Sequence, residues 1–426
     1  MRRATAALRV RNYRLYLVGQ SISSAGTFMQ ALALAFLVLH LTGSGTAVGV
    51  TAAARFLPFV LLGPLGGVIA DRGNKRRILY VTQSASGLGA LLFALLAWTG
   101  TATYPLVVAL SLVIGALAVL DNPARQSLIA DLVPRETLAN AVVLNSVSLN
   151  VARIAGSVLG GTLVALVGVP MCFLINAASF GAVLVSLARM RRDPSLPPPV
   201  RAPRAAGQVR EGLRYAARTP ELLLPLVMLT VTGILAYEFP TTLPLLATDA
   251  FHGTAATYGL MAAVMAGGAV IGGLVAAART TPRRPAALSI AAIGWGIAIL
   301  AAGVAPTLPL CLGALAIVGY GSITFNATAK TALQLAARPE MRGRVMALWA
   351  LAWTGSTVLG GPLVGWIAET FGSRWGLIAG GAPTIAIGLA LLPALRRTGG
   401  GDAGRTGAAP AADDGEVAFL AAPRAA

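Results

Sequence analysis

Apolar residues in this chain come in long blocks rather than in short alternating runs. Between polar breaks, stretches of about twenty apolar residues recur, enough for a helix to cross a hydrocarbon layer of ~30 Å. They predict twelve membrane-spanning helices. The first six lie near 15–39, 47–70, 78–98, 104–122, 141–166 and 170–188. The second six lie near 222–247, 257–278, 286–304, 308–329, 345–367 and 374–393. The expected fold is thus an all-α polytopic membrane protein. A long polar stretch rich in Pro and Arg separates the sixth run from the seventh, and within it Gln208–Arg218 reads as a short amphipathic surface helix. The chain divides into an N-terminal six-helix bundle (1–188), a linker (189–221), a C-terminal six-helix bundle (222–395) and a Gly/Ala/Asp-rich tail (396–426) expected to be disordered.

Composition agrees with the pattern. Hydrophobic residues make up 56% of the chain, charged residues 11%, and mean hydropathy is +0.75, whereas a soluble domain is about 25% charged. The opening MRRATAALRVRNYR and the apolar run behind it mimic a signal peptide. That run is too long for a signal core and many more follow, so an uncleaved first helix is expected.

The net charge of +18 would suggest a nucleic-acid partner for a soluble protein. Its placement argues against one. Arg2, Arg3, Arg9, Arg11, Arg14, the Arg72–Arg77 cluster, Arg125, Arg135, the arginines of the linker, Arg279, Arg283, Arg284, Lys330, Arg338, Arg342, Arg344 and the basic residues of the tail all fall at one side of the twelve-span register. Arg55 and Arg153 lie within spans, and Arg374 alone lies at the other side. This is the positive-inside distribution. It places both termini in the cytoplasm, in a multi-pass plasma-membrane protein with the lipid bilayer as its surroundings and no nucleic-acid partner. Cys172 and Cys311 both sit in apolar segments, without disulfide or metal-site spacing.

The halves resemble one another. A shift of about 205 residues lays Pro134 on Pro339, Gly156 on Gly361 and Gly160 on Gly365; nearby shifts pair Asn122 with Asn326 and Gly67 with Gly273. The identical VLGG at 158–161 and 358–361 gives a competing register. Parallel six-helix halves are a transporter arrangement.

One stretch, GGVIADRGNKRRIL (66–79), packs charge between two very apolar segments. Its pattern Gly67-x-x-x-Asp71-Arg72-x-x-Lys75-Arg76-Arg77 resembles the loop between spans two and three of the major facilitator superfamily. The resemblance extends to about residue 395. LRVRNYRLYLVGQSISSAGTFMQ (8–30), Arg55-Phe-Leu-Pro58 and DNPARQSLIADLVPRETLANAVVLN (121–145) are similar to the branch containing enterobactin exporters and macrolide efflux proteins. Physically, Gly67 allows close helix approach, and Asp71 can face the N-terminus of the eleventh span, a favourable dipole contact of about 0.3–2 kcal/mol. Arg342 or Arg344 can add a charge-assisted bond. The resemblance implies a latch closing the cytoplasmic face, built from Gly67, Asp71, Arg72, Arg76 and Arg344; the cluster also enforces topology. Gly73-Asn74 departs from the family pattern after the Asp-Arg pair, and the second-half counterpart of Asp71 is Ala277.

A charge at mid-bilayer costs about 2.5–3.5 kcal/mol on insertion scales and needs a partner or a watery cavity. In the fifth span Ser146, Asn150, Arg153 and Ser157 fall within about 60° of one another on a helix, a stripe expected to face the interior. Gln20, Ser24 and Thr27, with Gln30 beside them, repeat the pattern in the first span. Glu238, near mid-depth of the seventh span, is flanked by Tyr237 and Thr241, with Pro240 and Pro244 weakening the helix. Low-dielectric surroundings favour the neutral form of a carboxyl, which makes Glu238 the candidate for carrying a coupling proton. A static pair with Arg55 or Arg153, or a position at the outer rim, is the competing reading. Arg55 itself reads equally as a functional residue or one that snorkels outward. Asp121 and Arg125 are expected to form a gating ion pair with Lys330 as counterpart. Gly156 and Gly160, like Gly361 and Gly365, provide small-residue helix packing.

No phosphate-binding loop, H-E-x-x-H or G-x-S-x-G occurs, and His40 and His252 fall at loop edges. No catalytic residues, metal or cofactor are expected. The expected function is proton-coupled efflux, by alternating access, of a small organic compound such as a drug, antibiotic or siderophore-like metabolite, by a monomer. An importer or lipid translocator on the same scaffold, and a non-transporting membrane receptor, are the alternatives.

Overall fold

The computed structural model describes residues 6–191, 208–278 and 286–400. The Pro-rich start of the linker, Arg279, Arg283 and Arg284, and the tail from 401 lie outside the described residues. After a 3-10 turn, Ala6–Arg9, come α1 (Arg11–Thr42), α2 (Gly45–Arg72), α3 (Lys75–Thr99), α4 (Tyr104–Leu132), α5 (Arg135–Val167) and α6 (Val169–Arg189). The short α7 (Gln208–Ala217) precedes α8 (Pro220–Ala236), α9 (Phe239–Leu245), a π-helical turn (Leu246–Ala250), α10 (Ala255–Ala278), α11 (Ala286–Val304), α12 (Leu308–Ala336), α13 (Arg342–Thr354), α14 (Thr357–Phe371) and α15 (Ser373–Gly400). Twelve helical segments are long and apolar enough to cross a membrane, and they are the twelve expected from the sequence. Large apolar side chains such as Leu61, Leu88, Leu166, Val304 and Leu310 stand exposed on the outer surface, as a lipid-facing surface requires.

Local chemistry sets the helix ends. Asn74 Oδ1 accepts from the Arg77 amide at 3.1 Å and caps α3, so the residue that departs from the family pattern starts the next helix. Prolines occupy the first turn of α4, α6, α8 and α12, where a missing N–H costs nothing. The apolar runs underestimate α4, α5 and α12, because these helices continue past the hydrocarbon as polar helix, to Leu132, from Arg135 and to Ala336. Two spans are broken. The seventh divides at Tyr237–Glu238 between α8 and α9, ahead of Pro240, and the eleventh at Gly355–Ser356 between α13 and α14.

The halves repeat the same packing: α2 on α4 and α10 on α12, α1 on α6 and α8 on α15, α3 on α6 and α11 on α15. In each half one glycine sets the tightest of these crossings. A Cβ on Gly115 would strike the Arg55 carbonyl, and one on Gly319 the Met265 carbonyl. Gly115 and Gly319 share the offset that relates Asn122 to Asn326.

Between halves, α2 packs on α14 and α5 on α10. Backbone meets backbone at Gly45 and Gly365, at Gly49 and Gly361, and at Gly161 with Ala255 and Gly259, and side chains join in where Leu245 packs on Gly45 and the Phe36 ring lies 6.0 Å from Tyr258. All lie toward the end of the bundle away from the basic cluster, called here the far end. Toward the basic end the described contact of α13 on α2 is Gly355 against Val60, and α5 carries exposed Val142, Val143 and Val147. The molecule is closed at its far end and parted at its basic end.

Packing of this kind has a measurable signature. Gly319→Ala puts a methyl into a backbone carbonyl that cannot rotate away, and overpacking costs about 1–3 kcal/mol. Gly313, in the same helix, has open space around it. Thermal melting in detergent should show Gly319→Ala well below the parent and Gly313→Ala at or above it.

Candidate functional site

The cleft between the halves is built from α5 upward. At its far-end part α5 touches the second half directly, the Ser157 carbonyl lying 2.6 Å from where a Cβ on Gly259 would sit. Arg153, Asn150 and Ser146 continue that same helix face toward the basic end. Ser157 is buried, Arg153 and Asn150 are half-buried and Ser146 is exposed, a gradient that follows the widening cleft. Asn150 Nδ2 donates to the Ser146 carbonyl at 2.9 Å, and the Arg153 guanidinium lies 5.2 Å from the Phe28 ring centre. The stripe thus lines the parted region, its charge resting on an aromatic face. Gly156 and Gly160 point elsewhere, against Ala25, Phe28 and Met29 of α1, and tie α5 into its own half.

The polar residues of α1 divide between two directions. Gln20 donates to Ser24 Oγ at 3.2 Å, and Thr27 bonds back to the Ser23 carbonyl at 2.9 Å. Gln30 does not line the cleft. Its Oε1 accepts from Asn176 Nδ2 at 2.6 Å, and Ser179 bonds Asn176 in turn at 3.0 Å, so it fastens α1 to α6. Gln30 lies with Ser23, Gly26 and Gly19 on the face that packs on α6, and the sequence marks the polarity but not the direction.

Glu238 stands at the N-cap position of α9, at the break in the seventh span, without capping the helix through its side chain, and is 2% exposed. Its carboxyl lies beside the Thr357 hydroxyl, in the first turn after the break in the eleventh span, and against Gly360. The other carboxyl oxygen, Oε1, has no hydrogen-bond partner among the described residues. The two broken spans therefore meet at their breaks, with one acid between them, directly behind the Gly49–Gly361 closure. No ion pair among the described residues joins Glu238 to Arg55 or Arg153. Thr241, one turn on, is fully buried with its hydroxyl unpartnered.

Tyr237 leads into a group of rings the sequence did not reveal. Its ring centre is 4.5 Å from Trp295 and 4.1 Å, edge-on, from Trp353; Trp295 stacks on Phe325 at 5.6 Å and Trp353 on Trp349 at 6.3 Å. The Tyr237 hydroxyl donates to the Ser322 carbonyl at 3.1 Å. Lys330, exposed, places Nζ 5.0 Å from the Trp349 ring. The spacing of Trp349 and Trp353 puts both on one helix face and is the only signal of this cluster in the sequence.

At the basic end Asp121, Arg125 and Arg76 find partners within the first half. Asp121 pairs with Arg125 one turn on in α4 and accepts from Thr82 Oγ1 at 2.9 Å and Gln83 Nε2 at 2.7 Å of α3. Arg76 donates to the Leu187 carbonyl at the end of α6, and Lys75 pairs with Asp131 at 2.6 Å. Arg72 is exposed. Gly66, next to Gly67, lies against the Val119 carbonyl of α4. The Asp71 side chain lies outside the described residues. Arg344, the expected partner of the latch, bonds Glu211 of the linker helix α7 at 2.6 Å, and Gly212 sits against its Cβ.

Comparisons with known proteins agree with this architecture. Over 399 residues the chain is 28% identical to the multidrug efflux pump Tap of Mycobacterium tuberculosis, covering 90% of this chain and 93% of Tap. Over 352 residues it is 26% identical to the enterobactin exporter EntS of Shigella flexneri, covering 82% of each. A bacterial homologue of the human lysosomal transporter Spinster, solved inward-facing and unoccupied, shares the fold with a TM-score of 0.73 at 16% identity, covering 92% of this chain and 98% of that one. The model of the transmembrane secretion effector family matches residues 3–404, and the chain belongs to that family of major facilitator superfamily transporters.

Proposed function

We propose that the chain is a proton-coupled exporter of small organic compounds that works by alternating access. The observation that carries this reading is the one-ended closure of the cleft, with a single unpaired acid where two broken spans meet behind it. A break in a helix is a place where two rigid pieces change angle, and an acid at that place can couple its protonation to the change. The relatives named as multidrug and enterobactin exporters support the direction and the class of cargo. Substrate would sit between the α5 stripe, with Asn150 and Arg153, and the ring cluster of Tyr237, Trp353 and Trp349, with Gln20, Ser24 and Thr27 flanking it. Both termini and the basic end face the cytoplasm of the plasma membrane, and the monomer is the working unit. In the alternate state the basic end closes, Asp71 meeting the N-terminus of α13 and Arg344 exchanging Glu211 for it.

Two variants test the reading. Glu238→Gln keeps size and polarity but cannot release a proton. In inverted vesicles, proton-driven uptake of a drug such as ethidium should fall about a hundredfold, general acid–base groups being worth about 10²–10⁴ in other settings. Exchange of labelled for unlabelled drug without a gradient should survive. Uptake that persists in Glu238→Gln, or drug movement only in the opposite direction, would overturn the proposal. Trp353→Ala removes a stacking surface worth about 0.5–1.5 kcal/mol. It should raise the KM for aromatic drugs about threefold to tenfold with little change in maximal rate.

A further inference from the structure

Glu369, near the end of α14, is not among the residues that the sequence singles out, yet it makes the only polar contacts between the halves at the far end among the described side chains. Its Oε2 accepts three hydrogen bonds from the start of α2: Ser44 Oγ at 2.7 Å, the Thr46 amide at 3.0 Å and Thr46 Oγ1 at 2.6 Å. Ser44 is the N-cap of α2, its hydroxyl oxygen accepting from the Ala47 amide at 3.2 Å. The first N–H groups of a helix have no partner within it and carry partial positive charge. An in-chain capping box would place a Glu three residues after the cap; here that residue is Ala47, and the carboxylate comes from the opposite half. Glu369 also continues the row of Gly361 and Gly365, the two glycines that press α14 onto Gly49 and Gly45. Charged neighbours on the same far-end hollow are Asp249, which accepts from Thr248 at 2.7 Å, and Arg374, which donates to the Gly303 and Ala305 carbonyls at 3.0 and 2.6 Å. Neither pairs with Glu369.

We propose that Glu369 is a far-end latch: by completing the N-cap of α2 across the interface it holds this side of the transporter shut, and it must let go for that side to open. The device has the same chemistry as the Asp71 latch proposed at the basic end, on the same two spans with their roles exchanged. There the second span supplies the acid and the eleventh the helix start; here the eleventh supplies the acid and the second the helix start. The two helices run antiparallel, so at each end the start of one meets the end of the other. This inference rests on the alternating-access reading for its purpose, but its test needs neither substrate nor a known membrane orientation.

The test is the far-end distance between the halves. Spin labels at Leu166→Cys and Val304→Cys, both exposed near the far end of their helices, report it by pulsed electron resonance in detergent and in nanodiscs; Cys172 and Cys311 are buried and stay in place. The unaltered latch should give a dominant short distance. Removing the carboxylate with Glu369→Ala, or its hydroxyl partners with Ser44→Ala and Thr46→Val together, should each raise the ratio of long to short populations about tenfold, the loss of charge-assisted bonds being of that order. Glu369→Gln should fall between. Distributions unchanged in both the acid and the hydroxyl variants, or a parent already dominated by the long distance, overturn the proposal. The Ser44/Thr46 variant keeps the test decisive should Glu369→Ala fail to fold. An opened far end in these variants together with unimpaired efflux in Glu238→Gln would leave the latch standing and remove the coupling role instead.

Discussion

Two helices come into backbone contact only where no large side chain stands in the way, and among the described residues glycines meet that condition between the halves at the far end. Gly45 and Gly49 meet Gly365 and Gly361, and Gly161 meets Gly259. Apolar burial gives little reason for helices to associate inside a bilayer, since lipid tails are as apolar as leucine; close packing and polar contacts carry the association instead. Closure at the far end therefore joins these glycine contacts and the polar groups beside them to a patch of side-chain packing, where Leu32 and Phe36 of α1 enter the core of the second half and Phe36 lies 6.0 Å from the Tyr258 ring. The larger cores centre on Trp295 and Phe325 in the second half, where Leu32 of the first half joins the cluster, and on Phe93 with Phe173 and Tyr13 with Tyr16 in the first.

That division of labour explains where the charges are. Within the first half Asp121 has its partners fixed by neighbouring helices, Arg125 on α4 and Thr82 and Gln83 on α3. Such a network keeps α3 and α4 in one arrangement. Among the described residues Arg55, Arg153 and Glu238 have no ion pair, and of these Glu238 lies where the two broken spans meet.

The spans, the two-half architecture and the basic end were legible in the sequence because each depends on composition over twenty residues or more. The break at Glu238 was partly legible too, since Pro240 and Pro244 mark it. Directions of single side chains were less so. Gln30 and Gln20 look alike in sequence, yet the first is consumed by Asn176 of α6 while the second bonds Ser24 of its own helix, a difference set by which neighbouring helix lies on each face. Arg344 was expected opposite Asp71 and is held by Glu211, a partner in the linker that no periodicity marks. The ring cluster gathers residues from four helices, and Glu369 draws its importance from a helix start more than three hundred positions earlier in the chain. Contacts of that kind depend on the tertiary fold, which local pattern does not encode.

The docking of α7 changes what the connection between the halves is. A slack tether imposes only a weak entropic bias that varies slowly with its length. Here the tether carries an anchored helix, Ala216 buried against the second half and Tyr215 Oη accepting from the Arg338 amide, and its Glu211 occupies Arg344 at the start of α13. In the proposed cycle the tether is thereby a competitor for the basic-end latch, so that its sequence, and not merely its length, bears on how readily that end swings shut.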